Sequence, residues 1–394
     1  MPFRQFLPLP NPRGSRLRPL LGAACFVLGV LACLVPCRAQ DGNARDAAPA
    51  GKPKFTEEVL RLQILLDRQL FGPGKLDGLP GEFTVKALQR YQGKHGLAPT
   101  DLAGHGIDLA AILPETYTEY TIRQEDLRFV GTVPAKPPEQ SLRKYLPYAS
   151  LLELICERFH CADSLLRLIN SRPPPMGELA AGGTCEGGAL NLDALKPGDV
   201  IKVPNVEPFR IEDLSPVPSL PEVPEFRTRI ICIDTRERML DVYGSECGPL
   251  LASFPITPGS GHLGTPPGSW KIVGISMMPT FRWDESVLEY GVRSEQFFQL
   301  PPGPNNPVGV LWTGLNRAGI GIHGTNHPDT IGRAASHGCM RTANWDAARL
   351  AKLITKGMLV KIEGPRPDPR PKKPEPVVIP KQKSPFWWLQ GAPR

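Results

Sequence analysis

One cysteine and one histidine stand where acyl chemistry could be done. The stretch Ile320-Gly321-Ile322-His323-Gly324-Thr325 ends an apolar strand candidate. A polar loop with Pro328 follows, and the chain then reads Ser336-His337-Gly338-Cys339-Met340-Arg341. Cysteine attacks as its thiolate, and an unassisted thiol with a pKa of about 8.5 is mostly protonated at neutral pH. A neighbouring imidazole can take that proton and later return it to a leaving amine. The loop after His323 is long enough to bring Cys339 back to it. Gly338 carries no Cβ beside the nucleophile, so backbone N–H groups can approach a developing oxyanion. His95, His105, His160 and His262 show that histidines are not scarce, so the weight rests on the ordered string and not on one His plus one Cys. A zinc site is disfavoured because such sites usually want four ligands and no second cysteine stands at ligand spacing. The residues therefore imply neither a metal nor a cofactor.

The elements that must position this pair read as strands. Thr228 to Asp234 is rich in β-branched residues, Arg238 to Tyr243 follows a tight turn, and Leu250 to Ile256 follows a Gly-Pro turn, which is hairpin spacing. Residues 226–363 are expected to form a mainly β domain. Ahead of it, 207–225 holds Pro208, Pro216, Pro218, Pro221 and Pro224 and reads as a stiff linker that would make the β domain separable.

Two smaller modules precede the linker. Over 55–113, Val59, Leu62, Leu65, Leu66 and Leu70 recur at helical spacing. A turn Gly72-Pro73-Gly74-Lys75-Leu76-Asp77-Gly78 follows, and Thr84 to Gln92 resumes the helical pattern. Over 145–206 the chain reads helix–loop–helix, with an apolar face of Leu151, Leu152, Ile155 and Phe159. A Pro- and Gly-rich insertion (173–188) follows, then a turn feeding the alternating strand Val200 to Pro204. Between the modules, 118–122 is a short strand candidate. The expected fold class is thus multidomain: a small all-α module, a small α+β module and a mainly β domain.

Charge argues against nucleic acid as a partner. The chain has 46 Lys and Arg against 39 Asp and Glu, a net +7. Residues 1–40 contribute +5 and residues 364–394 another +5, which leaves 41–363 at −3. The proline-rich tail 364–394 is expected to be disordered. Arg4, Arg13, Arg16 and Arg18 precede an uncharged run from Leu20 to Val35, so 1–39 reads as an export signal or an uncleaved membrane anchor. The protein is therefore expected outside the cytoplasm, in the periplasm or cell wall, with any membrane attachment through that segment. Export carries the chain to an oxidising compartment, where Cys156, Cys161 and Cys185 could supply one bridge whose pairing stays open.

Taken together, the His-Gly and Ser-His-Gly-Cys-Met-Arg strings resemble the L,D-transpeptidase catalytic domain of the YkuD type. Further matches are Phe254-Pro255-Ile256, Gly264-Thr265-Pro266-Pro267-Gly268-Ser269-Trp270-Lys271-Ile272 and Asn344-Trp345-Asp346-Ala347. The resemblance implies a β-sandwich-like fold with Cys339 as nucleophile and His323 as general base and acid. It implies that Gly324 orients His323 through its carbonyl and that His337, Gly338 and Cys339 frame the oxyanion site. Ser336 would be a supporting residue, and Arg341 would steady the loop or contact a substrate carboxylate. The reaction implied is formation of 3→3 cross-links between peptidoglycan stem peptides through a cysteine acyl-enzyme, with an envelope protein as another acceptor. The alternatives are an L,D-carboxypeptidase, where water accepts the acyl group, and a non-catalytic wall-binding protein. Leu62-Gln63, Asp77-Gly78, Gly81, Thr84, Ala87-Leu88, Tyr91-Gln92 and Gly96-Leu97 resemble a peptidoglycan-binding-1 module, and 145–206 resembles a LysM-type glycan binder. Stem peptides and glycan strands are the partners these likenesses imply.

Overall fold

Helix α1 (Glu57–Arg68) begins where Thr56 Oγ1 accepts the Val59 N–H at 3.2 Å, with Glu57 and Glu58 in its first turn and Arg68 in its last. That arrangement satisfies an orphan donor and complements the helix dipole. Helices α2 (Glu82–Lys94) and α3 (Leu109–Ile112) complete the front module. The computed structural model describes residues 53–171, 190–259, 264–333 and 338–367. The segment 1–39, the insertion 173–188, Cys185, His262 and all but the first four residues of the 364–394 tail lie outside the described residues.

The middle module is built from β1 (Tyr117–Thr121), α4 (Pro137–Ser141), α5 (Leu151–Arg158), α6 (Asp163–Ile169) and β2 (Val200–Pro204). Strands β1 and β2 pair antiparallel, Tyr117 opposite Pro204 and Thr121 opposite Val200. The partner of the 200–204 strand therefore lies ahead of residue 145, where five mostly exposed or half-buried residues give little periodic signal. Helix α5 starts at Ser150, whose Oγ accepts the Glu153 N–H. It ends in a left-handed His160 (φ 56°), with Cys161 N–H donating to the Cys156 carbonyl at 2.9 Å and His160 N–H to the Glu157 carbonyl at 3.2 Å. This pattern closes off a helix end that would otherwise leave carbonyls unpaired.

The third part contains β3 (Ile230–Asp234), β4 (Met239–Tyr243), β5 (Leu250–Pro255), β6 (Gly268–Met277), β7 (Phe281–Trp283), α7 (Glu285–Tyr290) and β8 (Phe298–Leu300). It continues through β9 (Leu311–Leu315), β10 (Gly321–His323), β11 (Met340–Arg341), α8 (Asn344–Ala351) and β12 (Leu359–Glu363). One eight-stranded sheet runs β11-β10-β9-β6-β12-β3-β4-β5. Its β10–β11 and β12–β3 pairs are parallel and the others antiparallel. Strands β7 and β8 form a separate hairpin around α7.

The modules share one core. On α1, Leu62, Leu65 and Leu66 pack with Phe71, Ala87, Leu88 and Leu109 inside the front module, whereas Leu60 and Ile64 enter the large core that continues to Ile362. Fully burying such a side chain contributes about 1.5–3 kcal/mol. The glycine-rich turn after α1 is an interface. Gly72 N–H donates to Ser253 at 2.7 Å and Ser253 N–H to Leu70 at 2.8 Å, so this turn covers the edge strand β5. Four residues on, Leu76 N–H reaches the His160 carbonyl and Ala162 N–H the Leu76 carbonyl. The proline-bearing segment 207–225 also lies on the sheet. Val217 exchanges hydrogen bonds with Met277 at 3.0 and 2.9 Å, and Leu220 N–H reaches Ile275 at 2.8 Å. Its prolines lack donors, yet the residues between them supply the pairing.

Candidate active site

A groove of about 880 Å³ opens beside the β10–β11 edge, and His323, Cys339, Trp312 and Arg341 all line it. Its far walls come from α7 and from Pro216, Val217 and Pro218, so the packed segment before the sheet contributes to the site. A volume of this size lies within the range of small-molecule clefts.

Strand geometry brings the pair together. In the parallel β10–β11 ladder His323 stands opposite Arg341 and Ile322 opposite Met340. Cys339 therefore enters β11 beside the end of β10. Thr342 N–H donates to the His323 carbonyl at 2.9 Å, and Arg341 exchanges backbone hydrogen bonds with Thr257, which pins the strand that follows the cysteine. The Cys339 thiol donates to the Gly319 carbonyl at 3.3 Å.

His323 is buried, 6% exposed, and its Nδ1 lies 2.6 Å from the Gly324 carbonyl. A carbonyl can only accept, so Nδ1 carries the proton and Nε2 is the basic nitrogen. Trp312 stacks on the ring at 5.6 Å between centroids. Burial pushes the His323 pKa down from 6.5 to about 4; the Gly324 contact opposes this and the Arg341 charge adds to it. The imidazole is thus neutral at physiological pH and ready to accept a proton. Burial also lowers the Arg341 pKa, with Cys339 acting in the opposite sense.

Gly338 adopts φ +106°, a backbone region in which a side chain is strained, and its buried carbonyl accepts from Thr265 Oγ1 at 3.1 Å. Thr265 Oγ1 in turn accepts the Gly259 N–H at 2.8 Å. Ser336 and His337 lie outside the described residues. Of the expected site residues, His323, Cys339 and Arg341 line one groove, with Gly324 and Gly338 beside them in the chain. Among the described residues no cluster of three or more His, Cys, Asp or Glu side chains is placed to hold a metal ion.

Three contributors were not identified from sequence. Trp312 covers His323, and strand alternation around Leu311-Trp312-Thr313 could have placed it on the groove face. Thr265 was quoted only as part of a matching string, without its task of holding Gly338. Asn344, likewise quoted without a task, accepts the backbone N–H groups of Val310 at 3.1 Å and Thr325 at 3.2 Å through Oδ1.

Comparison with known proteins accords with this geometry. Residues 228–362 match the YkuD family model, an L,D-transpeptidase catalytic domain, and residues 56–104 match the PG_binding_1 model, "Putative peptidoglycan binding domain". A Bacillus licheniformis protein named "Putative L,D-transpeptidase YkuD" is 44% identical over 61 residues, 16% of this chain and 37% of that protein. Its Bacillus subtilis namesake is 44% identical over 59 residues, 15% of this chain and 36% of that protein. The chain therefore matches little more than a third of the length of these relatives. A solved L,D-transpeptidase from Mycobacterium smegmatis aligns at a TM-score of 0.28 with 17% identity, over 35% of this chain and 59% of that one, an overlap too slight to argue from. The histidine–cysteine groove thus lies within the residues that match an L,D-transpeptidase catalytic domain of the YkuD type, and the front helices within those that match a putative peptidoglycan binding domain.

Proposed function

We propose that this protein is a peptidoglycan L,D-transpeptidase that works through an acyl-enzyme on Cys339. The observation that carries the reading is the state of His323. Burial favours its neutral form, its Nδ1–H is held by Gly324, and it lines the same groove as the cysteine. His323 Nε2 takes the thiol proton as Sγ attacks the carbonyl of the third stem residue. The tetrahedral oxyanion is met by backbone N–H groups around Gly338 and Cys339, with His337 framing the same site and Ser336 supporting the loop. Collapse breaks the peptide bond, His323 gives its proton to the departing D-alanine amine, and a thioester remains on Cys339. The side-chain amine of a second stem's diamino acid then attacks the thioester, its proton passes to His323, and the thiol is restored as the 3→3 cross-link leaves. Arg341, half-buried at the groove, steadies the loop or meets a stem carboxylate. An envelope protein amine gives a wall-attached protein by the same step, and water gives the L,D-carboxypeptidase outcome.

The front helical module is the proposed anchor on the wall. The two helices α5 and α6 between paired strands β1 and β2, with α4 inserted after β1, support a LysM-like reading of the middle module, with glycan as its ligand. Partners of this kind lie outside the cytoplasm, which supports an extracytoplasmic location. Among the described residues no helix is long and apolar enough to cross a membrane. Incubation with purified stem tetrapeptides, read by mass spectrometry, tests the reading. Release of D-alanine with dimer formation supports cross-linking. D-alanine release without dimer assigns the acceptor to water, and no release contradicts catalysis on stems.

A further inference from the structure

We infer that Glu157, a residue of α5 in the middle module, is a positioning residue for His323 in the catalytic domain. The inference rests on the proposed role of His323 and concerns how that histidine is held.

The path is a chain of hydrogen bonds with a rigid link in it. Glu157 Oε1 accepts from Asn344 Nδ2 at 3.0 Å, 187 residues away in sequence, and from the Tyr148 hydroxyl at 2.9 Å. Asn344 Oδ1 accepts from Thr325 N–H at 3.2 Å and Val310 N–H at 3.1 Å, and its Nδ2 also reaches the Pro304 carbonyl at 3.3 Å. The Thr325 N–H and the Gly324 C=O belong to one planar trans peptide unit and point in opposite directions. Gripping the N–H on one side therefore aims the carbonyl on the other, and that carbonyl holds His323 Nδ1 at 2.6 Å.

The surroundings admit the Asn344 amide closely. Cβ atoms at Gly309 and Gly324 would lie 2.0 and 2.3 Å from its Oδ1, so the absence of side chains at both positions is what admits the amide. Two backbone donors fix which end of the amide faces the loop, which leaves Nδ2 directed at Glu157. Without that acceptor Nδ2 keeps only the longer contact to the Pro304 carbonyl, one of its buried N–H groups is orphaned, and the amide is held less firmly. Glu157 itself is 6% exposed and sits on the wall of a second cavity of about 290 Å³ that also borders Asn326 and His327 of the active-site loop. A buried carboxyl in a module with no catalytic signature is costly to keep; here it completes the catalytic domain's own network.

The test uses the full chain, with kcat and KM on stem tetrapeptide expressed per folded molecule. Glu157→Met keeps the length and removes the acceptor, Glu157→Gln keeps an oxygen at the same place, and Glu157→Ala serves should the Met variant not fold. The account expects kcat to fall about 10-fold or more in the Met or Ala variant with KM within about twofold, since small misplacements of a reacting group are worth up to ~10²-fold. It also expects recovery to near wild type in Gln and a shifted His323 Nδ1–H proton resonance in Met or Ala alone. A folded Met or Ala variant with unchanged kcat and resonance overturns the inference, as does a Gln variant as slow as Met. Cys339→Ala run alongside separates the two levels. Activity retained there contradicts the catalytic reading itself, whatever Glu157 does.

Discussion

Arg349 clasps Asp67 with both terminal nitrogens, at 2.9 and 2.8 Å, although 282 residues separate them. Asp67 belongs to α1 of the front module and Arg349 to α8 behind the active site. His160, from the end of α5, approaches the same carboxylate at 3.1 Å and stacks on Trp345 at 5.3 Å between centroids. Burial alone would raise the Asp67 pKa, but Arg349 and His160 hold it well below the usual carboxylate range. Three modules meet at one ionised, fully buried carboxylate.

Removing one partner of a buried pair strands the other charge, which costs about 3–5 kcal/mol. Asp67→Ala should therefore destabilise the whole chain by about that amount in denaturant melts, and catalytic-domain and front-module signals should be lost together. A melt in which only the front helices unfold early would contradict the shared core.

The pH dependence of acylation should follow the buried histidine. Because the His323 pKa is pushed down to about 4, the base form persists well below pH 6. As far as His323 governs the rate, acylation stays level from pH 7 to about 5.5 and falls through pH 4. Trp312→Ala lets water reach the ring, so its falling limb should move up toward 6.5. Rate profiles of the two proteins check this, and a wild-type limb centred at 6.5 would refute it.

Stability should respond to pH through two buried acids. Burial raises Asp346 and Glu157 to about 8 each, against ordinary values of 3.8 and 4.5. Folded-state pKa values above the unfolded ones stabilise the protein fully below the unfolded values, and that contribution is lost as pH rises through the folded ones. Between about pH 4 and 6.5 the lowered pKa values of His323 and His160 act in the opposite sense, so the acids stand out between 6.5 and 8. Thermal midpoints should fall across that window in the wild type and fall less in Asp346→Asn. Equal slopes would mean that Asp346 is ionised in the folded state.

The cysteines carry a fourth prediction. Cys156 and Cys161 line the same small cavity, and the Cys161 N–H donates to the Cys156 carbonyl at 2.9 Å through the turn at His160. In the oxidising space outside the cytoplasm, a disulfide oxidant of the compartment would remove two protons and two electrons and join them. Unreduced peptide mapping of exported protein should show Cys156 linked to Cys161; a bridge to Cys185 would contradict it.

The site was more legible than the assembly. His323 and Gly324, and then Gly338, Cys339 and Arg341, stand in two short strings on either side of a loop, and each string runs at the end of one of two paired strands. Segment 207–225 reads as a free linker because proline counts report stiffness and not what a stiff segment lies against. It pairs with Ile275 and Met277, so it lies on the sheet and is not a free spacer. Strand β1 was found but not assigned to β2, since strand pairing across some 80 residues leaves no local periodic mark. Asn344 lies in a matching string whose task the sequence does not show, Glu157 lies in none, and only the fold brings them together.

The central claim is that Cys339 forms the acyl-enzyme with His323 as its base, and intact-protein mass spectrometry after exposure to a carbapenem addresses it most directly. The account predicts one drug mass on the wild type, none on Cys339→Ala, and acylation slowed roughly 10²–10⁴-fold in His323→Ala. Cys232→Ala and Cys247→Ala should keep the adduct. An adduct that persists in Cys339→Ala would contradict the account.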